Sequence, residues 1–106
     1  MTEAALQILI ALADGEKHGY AIMREVTERT GGRVKLYPGT LYANIKRLLA
    51  DGFIDEIEER PDEDDERRRY YRLSRAGRGA ARAEIDRLDT IVRTARESGL
   101  ALKARR

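Results

Sequence analysis

Pro38-Gly39-Thr40-Leu41-Tyr42-Ala43-Asn44-Ile45-Lys46-Arg47-Leu48-Leu49-Ala50-Asp51-Gly52 reads as one helix with two different faces. Proline at the first helical position sacrifices nothing, because the N–H it lacks has no partner inside a helix. Leu41, Ile45, Leu48 and Leu49 recur at i, i+4, i+7 and i+8, a single apolar stripe that wants a core beneath it. The opposite face presents Gly39, Thr40, Ala43, Lys46, Arg47 and Ala50, and Gly52 terminates the helix. A short helix buried on one side and basic on the other is a candidate reader of another molecule.

Two more helices precede it. Thr2 to Ala13 is apolar over most of its circumference, with Leu6, Leu9, Ile10 and Ala13 at helical spacing and Ile8 and Leu12 widening the stripe. Such a helix is expected to be buried or paired with another subunit. Asp14-Gly15 ends it. Gly19 to Thr30 forms the second helix, with Tyr20, Ile22, Met23 and Val26 on its inner side, and Gly31-Gly32 stops it. Arg33 to Tyr37 reads as an extended connector.

After Gly52, the segments Phe53 to Arg60 and Arg67 to Leu73 suit two strands, with Tyr71 and Leu73 on one face and the acidic turn Pro61 to Glu66 between them. Ser74 reads as the N-cap of a long final helix, a position worth roughly 1 kcal/mol over alanine. Ala81, Ile85, Leu88, Val92 and Ala95 are spaced 4, 3, 4, 3 along it, a heptad seam that Gly99 and Leu102 continue. A second copy of the same helix can cover such a seam; packing back on its own domain is the competing reading. The division expected is 1–73 as a DNA-binding domain and 74–106 as a dimerisation helix.

The order helix, helix, helix, hairpin, long helix predicts a mainly α fold with a small β-hairpin: a winged helix-turn-helix extended by a dimerisation helix. In such modules the third helix enters the major groove, and the exposed residues near its N-terminus reach base edges. Thr40 would donate to or accept from several bases, Ala43 would touch a thymine methyl, and Asn44 would pair with adenine. Thr40 has an alternative as a hydroxyl contacting only backbone. Lys46 and Arg47 are better placed for phosphates. Tyr20 and Tyr42 could hydrogen-bond phosphates or pack with their hydroxyls exposed. Arg67, Arg68, Arg69 and Arg72 could grip the DNA backbone beside the groove, neutralise the acidic run across the hairpin, or both.

These segments resemble the PadR-like winged-helix regulators. The resemblance rests on His18-Gly19-Tyr20-Ala21-Ile22, Pro38-Gly39-Thr40-Leu41-Tyr42, Lys46-Arg47-Leu48, Gly52-Phe53-Ile54, and Arg68-Arg69-Tyr70-Tyr71-Arg72-Leu73-Ser74 with Gly77-Arg78. It runs from Leu9 to Arg78, about two thirds of the chain, and the single short last helix is similar to the smaller subgroup. It implies a homodimer made by the last helix with help from the first, hence Leu6, Leu9 and Ile10 beside the heptad seam. It further implies a repressor of a pseudo-palindromic operator in double-stranded DNA, released by a small molecule at the dimer interface or by a stress signal. Four departures stand out. Tyr37 occupies the N-cap position where many relatives place serine, and Ala43 stands where proline is frequent. The wing tip is unusually acidic, and tryptophan is absent.

Composition narrows the alternatives. The chain has 106 residues and no cysteine, which excludes a disulfide framework and thiolate chemistry and removes the commonest zinc ligand. No apolar run approaches the ~18 residues of a membrane span, and a cytoplasmic protein is the expectation. The net charge of +2 hides an asymmetry: Asp55 to Glu66 holds nine of the 19 acids and one base, leaving 20 bases against ten acids elsewhere. Such a surface attracts polyanions. Asp62, Asp64 and Glu66 lack the glycine and glutamate that an EF-hand loop requires, and Gly77-Arg78-Gly79 lacks a third glycine for a dinucleotide fingerprint. No metal, no cofactor and no catalytic residue is therefore expected, and the single His18 reads as a capping or packing residue. The function class left beside a DNA regulator is a dimeric protein-interaction module of the same shape, with the acidic wing as its contact surface.

Overall fold

The computed structural model describes residues 1–58 and 69–101. Among these the elements run α1 (Glu3–Ala11), β1 (Lys17–His18), α2 (Gly19–Arg29), α3 (Pro38–Ala50), β2 (Ile54–Glu58), β3 (Arg69–Leu73) and α4 (Arg75–Glu97). This is the mainly helical winged-helix arrangement expected, with one addition. The acidic turn Pro61 to Glu66, with Arg67 and Arg68, lies outside the described residues, as does Leu102.

Local chemistry explains the helix starts. Thr2 caps α1 by accepting from the Ala5 N–H at 3.1 Å. His18 caps α2 through Nδ1, which accepts from the Ala21 N–H at 3.2 Å. That role is open only to a neutral imidazole carrying its proton on Nε2. Ser74 caps α4, accepting from the Gly77 N–H at 2.9 Å.

The ends of α3 and α4 follow one pattern. At the end of α3, Gly52 takes φ 78°. The Phe53 N–H bonds back to the Leu48 carbonyl at 2.9 Å, and the Gly52 N–H to that of Leu49 at 3.0 Å. These two bonds are the Schellman motif, and its left-handed residue favours glycine. Gly99 does the same for α4, with φ 84° and the Leu100 N–H bonded to the Ala95 carbonyl at 2.9 Å. Gly99 therefore stops the helix, and the heptad register ends before it.

The sheet is antiparallel in the order β1-β3-β2. Ile54 pairs with Leu73 and Glu56 with Tyr71, and Ile54 and Tyr71 of that face are buried in the core shared with the helices. The added edge strand pairs Lys17 with Tyr71 and His18 with Tyr70. Two residues are too few to show any alternation, which is why the sequence reads only a loop there.

The core is contributed by all four helices, by β2 and β3, and by Leu12 and Leu36 of the connecting segments. Ile8, Leu9, Leu12, Ile22, Val26, Leu41 and Ile54 are the large side chains fully removed from solvent, joined by Leu36, Ile45, Leu48 and Tyr71. Each such aliphatic side chain contributes about 1.5–3 kcal/mol by leaving water. Lys17 ties the first turn to this core: its Nζ donates to the Ala11 carbonyl and to Asp14 Oδ1, both at 2.6 Å. A cation at a helix C-terminus is also favoured by the helix dipole.

Helix α4 departs from the domain after one contact zone. Of its residues only Gly77 and Ala81 are buried, and the molecule is 55 Å long against 28 and 26 Å across. At the root of the helix, Ser74 donates its N–H to the Phe53 carbonyl at 3.0 Å and its hydroxyl to the Gly52 carbonyl at 2.7 Å. Gly77 lies against the same Phe53 carbonyl, so closely that a Cβ there would overlap the oxygen. Gly77→Ala should therefore destabilise the fold by about 1–3 kcal/mol. Gly79→Ala, two residues on with open space around it, should stabilise by about 0.5–1 kcal/mol through helix propensity. Urea unfolding at one fixed protein concentration checks both, and equal effects of the two substitutions would refute the packing argument.

Candidate functional site

Helix α3 projects the face that its sequence pattern requires. Leu41, Ile45 and Leu48 are buried, while Gly39, Thr40, Ala43, Lys46, Arg47 and Ala50 are exposed. The exposed ridge is built of glycine, alanine and threonine over its first two turns and then turns cationic. Short side chains let another surface approach the helix backbone closely. Among the described residues neither Lys46 nor Arg47 is engaged by a carboxylate, so both charges are available to a partner.

Tyr20 and Tyr42 flank this ridge from one side. Tyr20 is 59% exposed and lies under the Arg24 guanidinium, which sits 5.8 Å from its ring centroid. Tyr42 is 48% exposed and passes over Gly19, where a Cβ would collide with the phenol oxygen. The His18-Gly19-Tyr20 segment and Tyr42 are thus parts of one surface. His18 ties it to the sheet through an edge-on contact with Tyr70, the centroids 5.4 Å apart.

The other residues singled out from sequence fall less uniformly. The side-chain amide of Asn44 is turned back on its own helix, Nδ2 donating to the Thr40 carbonyl at 2.9 Å. That bond uses one of its two N–H donors and leaves the other and Oδ1 for a partner. Arg69 is bonded to Glu56 across the hairpin at 3.4 Å, the charge-neutralising role. Arg72 is exposed, opposite Asp55 on the neighbouring strand, with no ion pair among the described residues. Tyr71 belongs to the core, where burial chiefly, and then Glu56, pushes its phenol above the ordinary range.

The residues expected at a subunit seam divide into two sets. Leu6 and Leu9 are spent inside the subunit's own core, and Ala81 is buried against it as well. Ile10 is half-buried at its rim. Ile85, Leu88 and Val92 stand between 38% and 45% exposed along α4, with Ala95 half-buried. Ile91, which the 4-3 spacing passes over, is 51% exposed and widens the strip. Where α1 meets α4, a groove of about 410 Å³ runs past Ile10, Ala81 and Ile85 between Arg78, Arg82 and Asp86. Among the described residues there is no cluster of three metal-ligating side chains, and no helix is long and apolar enough to cross a membrane.

Known proteins share this arrangement. The model of the transcriptional regulator PadR-like family matches residues 8–83. The chain is 40% identical over 88 residues to the transcriptional regulator Rv3488 of Mycobacterium tuberculosis, covering 83% of this chain and 78% of that protein. A crystal structure of a PadR family transcription regulator from Clostridium difficile superposes with a TM-score of 0.81 at 23% identity, over 91% of this chain and 97% of that one. Bacillus subtilis PadR, crystallised in complex with operator DNA, superposes with a TM-score of 0.71 at 23% identity, over 79% of this chain and 47% of that one. At such identities the likeness of the structures speaks to the fold alone.

The two crowded glycines differ in what they touch. Gly77 meets backbone, whereas Gly19 meets the tip of a side chain that can rotate. Gly19→Ala is expected to cost less than about 1 kcal/mol of stability, within the range of substitutions whose neighbours can yield, while displacing Tyr42. Urea unfolding together with the Tyr42 ring resonances checks this. An unmoved ring would show that the phenol does not rest on Gly19.

Proposed function

The chain belongs to the PadR-like family of transcriptional regulators, and from that premise we propose that it is a homodimer that binds a pseudo-palindromic operator in double-stranded DNA through α3. The observation that carries this reading is the exposed ridge of α3: small residues over the first two turns, followed by Lys46 and Arg47, which have no carboxylate partner among the described residues. Small residues allow the helix to sit deep in a major groove, and cations at its end meet phosphates. In this reading Thr40, Ala43 and Asn44 touch base edges. Tyr20, Tyr42, Lys46, Arg47 and Arg72 contact the DNA backbone, and Arg69 serves the hairpin. Residues 1–73 read DNA and residues 74–106 hold the dimer, from the cytoplasm.

The dimer is built on Ile85, Leu88, Ile91, Val92 and Ala95 of α4, with Ile10 of α1 beside them. Exposed apolar side chains of this size, aligned on one strip, favour a second copy of the same helix. The regulator is a repressor, and the groove beside Ile10 and Ile85 admits the small molecule that releases it. Its supporting feature is position: it borders both the strip and the helix α1 that packs on α3.

Selection of bound sequences from a random duplex library tests the function and is expected to return a two-fold symmetric motif. On that duplex, Arg47→Ala should weaken binding and flatten the slope of log affinity against log salt by about one unit, as loss of one phosphate contact does. A loss confined to one base position with an unchanged slope would make Arg47 a base reader. Absence of duplex binding at low salt would favour the protein-interaction module instead.

Leu88→Asp places like charges at the seam, where neither is well solvated. The variant is expected to sediment as a monomer and to bind the selected duplex at least about tenfold more weakly, a loss of 1.4 kcal/mol, although every DNA-facing residue is intact. A dimer with parental affinity would refute the seam.

A further inference from the structure

Tyr37 is the one residue of the α3 region that breaks a local rule without an evident structural return. It occupies the N-cap position in extended conformation, φ −69° and ψ 158°, and makes no side-chain capping hydrogen bond. Its carbonyl starts the helix, accepting from the Leu41 N–H at 2.8 Å, but the preceding N–H groups of the first turn have no side chain closing them. The three other helices of the described chain each have a capping side chain, from Thr2, His18 and Ser74. Serine, threonine, asparagine or aspartate here would satisfy one of those donors.

The tyrosine is also more exposed than a packing role explains. At 64% it is more open than Tyr20 or Tyr42. The large aromatic side chains that the described chain exposes are these three tyrosines, and all three lie at or near the starts of α2 and α3. Phe53, Tyr70 and Tyr71 are half-buried or buried elsewhere. Among the described residues Tyr37 takes no part in the ring contacts that join His18 to Tyr20 and Tyr70. Local rules are broken most often where a residue serves a partner. An exposed phenol offers an apolar ring and a neutral donor, a combination suited to a sugar beside a phosphate oxygen.

We infer that Tyr37 is a DNA-backbone contact at the leading end of α3, its ring against a deoxyribose and its hydroxyl donating to a phosphate, retained at the expense of helix capping. The inference rests on the reading of α3 as the DNA-binding helix and adds a residue to it. Tyr37 fixes the register of the helix on the duplex without reading a base, so it governs affinity at every site equally.

Tyr37→Phe and Tyr37→Ser test this on the full-length protein with the selected duplex. Phe removes only the hydroxyl and should weaken binding about tenfold, as loss of a hydrogen bond to a charged group does. The salt slope should stay unchanged, because a neutral phenol displaces no counterion. Ser restores a cap and should raise the folding equilibrium constant about fivefold in urea unfolding, yet bind more weakly than Phe. Selected motifs should be the same for the parent and both variants. A more stable Ser variant with parental affinity overturns the inference while leaving the DNA reading intact, as does a motif changed at one base pair. A parent that binds no duplex overturns the DNA reading and this inference with it.

Discussion

Three elements of this chain meet at a single peptide. The Phe53 carbonyl, at the exit of α3 and the entrance of β2, accepts the Ser74 N–H, and Gly77 is pressed onto the same oxygen. The neighbouring Gly52 carbonyl takes the Ser74 hydroxyl. Gly52 can present these carbonyls together because its left-handed conformation closes α3 and turns the chain at once. Helix α4 thus leaves the domain at an angle set by the end of α3, with no linker between them. A 23-residue helix is about 34 Å long, so a 5° change at its root moves its far end by about 3 Å. Under the proposed function this rigidity is what lets contacts along α4 set the separation of two copies of α3.

The apolar surface is apportioned accordingly. Helix α1 is apolar nearly all round, and from sequence its excess fitted a subunit interface as well as a core. The fold resolves this by packing α1 on α2, α3 and α4, which absorbs Leu6, Ile8, Leu9 and Ala11 and leaves Ile10 at the rim. Helix α4 has no such neighbours beyond Ala81, and Ile85, Leu88, Ile91 and Val92 remain open to solvent. Periodicity shows that a stripe exists; which neighbour covers it depends on where the helix axis points. In this chain that direction is decided by Gly77, a residue whose importance no hydrophobic pattern reveals.

Other features were legible to differing degrees for similar reasons. Pro38, the Leu41-Ile45-Leu48 stripe and Gly52 delimit α3 within one short window, so both its bounds and its outward face follow from local chemistry. The cap at Ser74 and the shared face of Tyr71 and Leu73 were likewise local. Strand β1 was hidden because Lys17-His18 is ordered by pairing with Tyr70 and Tyr71, more than fifty residues away in sequence. Gly99 looked like a register position because heptad spacing is blind to backbone conformation. Asn44 and Arg69 were chosen for donors that the fold partly commits elsewhere, to the Thr40 carbonyl and to Glu56.

Net charge is a coarse guide to the surface that a polyanion would meet, since a cation held by a carboxylate has little field left to offer. Lys17, Arg24, Arg29, Arg33, Arg69, Arg87 and Arg93 are all in ion pairs. At Arg33 the partner Glu3 is itself held below the ordinary carboxylate range, chiefly by their hydrogen bond. Cations without an ion pair among the described residues include Lys46 and Arg47 on α3, Arg72 on the outer face of β3, and Arg75, Arg78 and Arg82 on the first turns of α4. Lys46 and Arg47 continue the ridge of small residues on α3, whereas Arg78 and Arg82 border the groove beside α1. Unpaired positive charge among the described residues is therefore found on α3, on the outer face of β3 and at the root of α4. Arg33, held by Glu3 of α1, and Arg87 and Arg93, held by acids of α4, add little to it. Under the proposed function, a partner drawn in by this field meets α3 first, where short side chains discriminate and the tyrosines around the helix hold register.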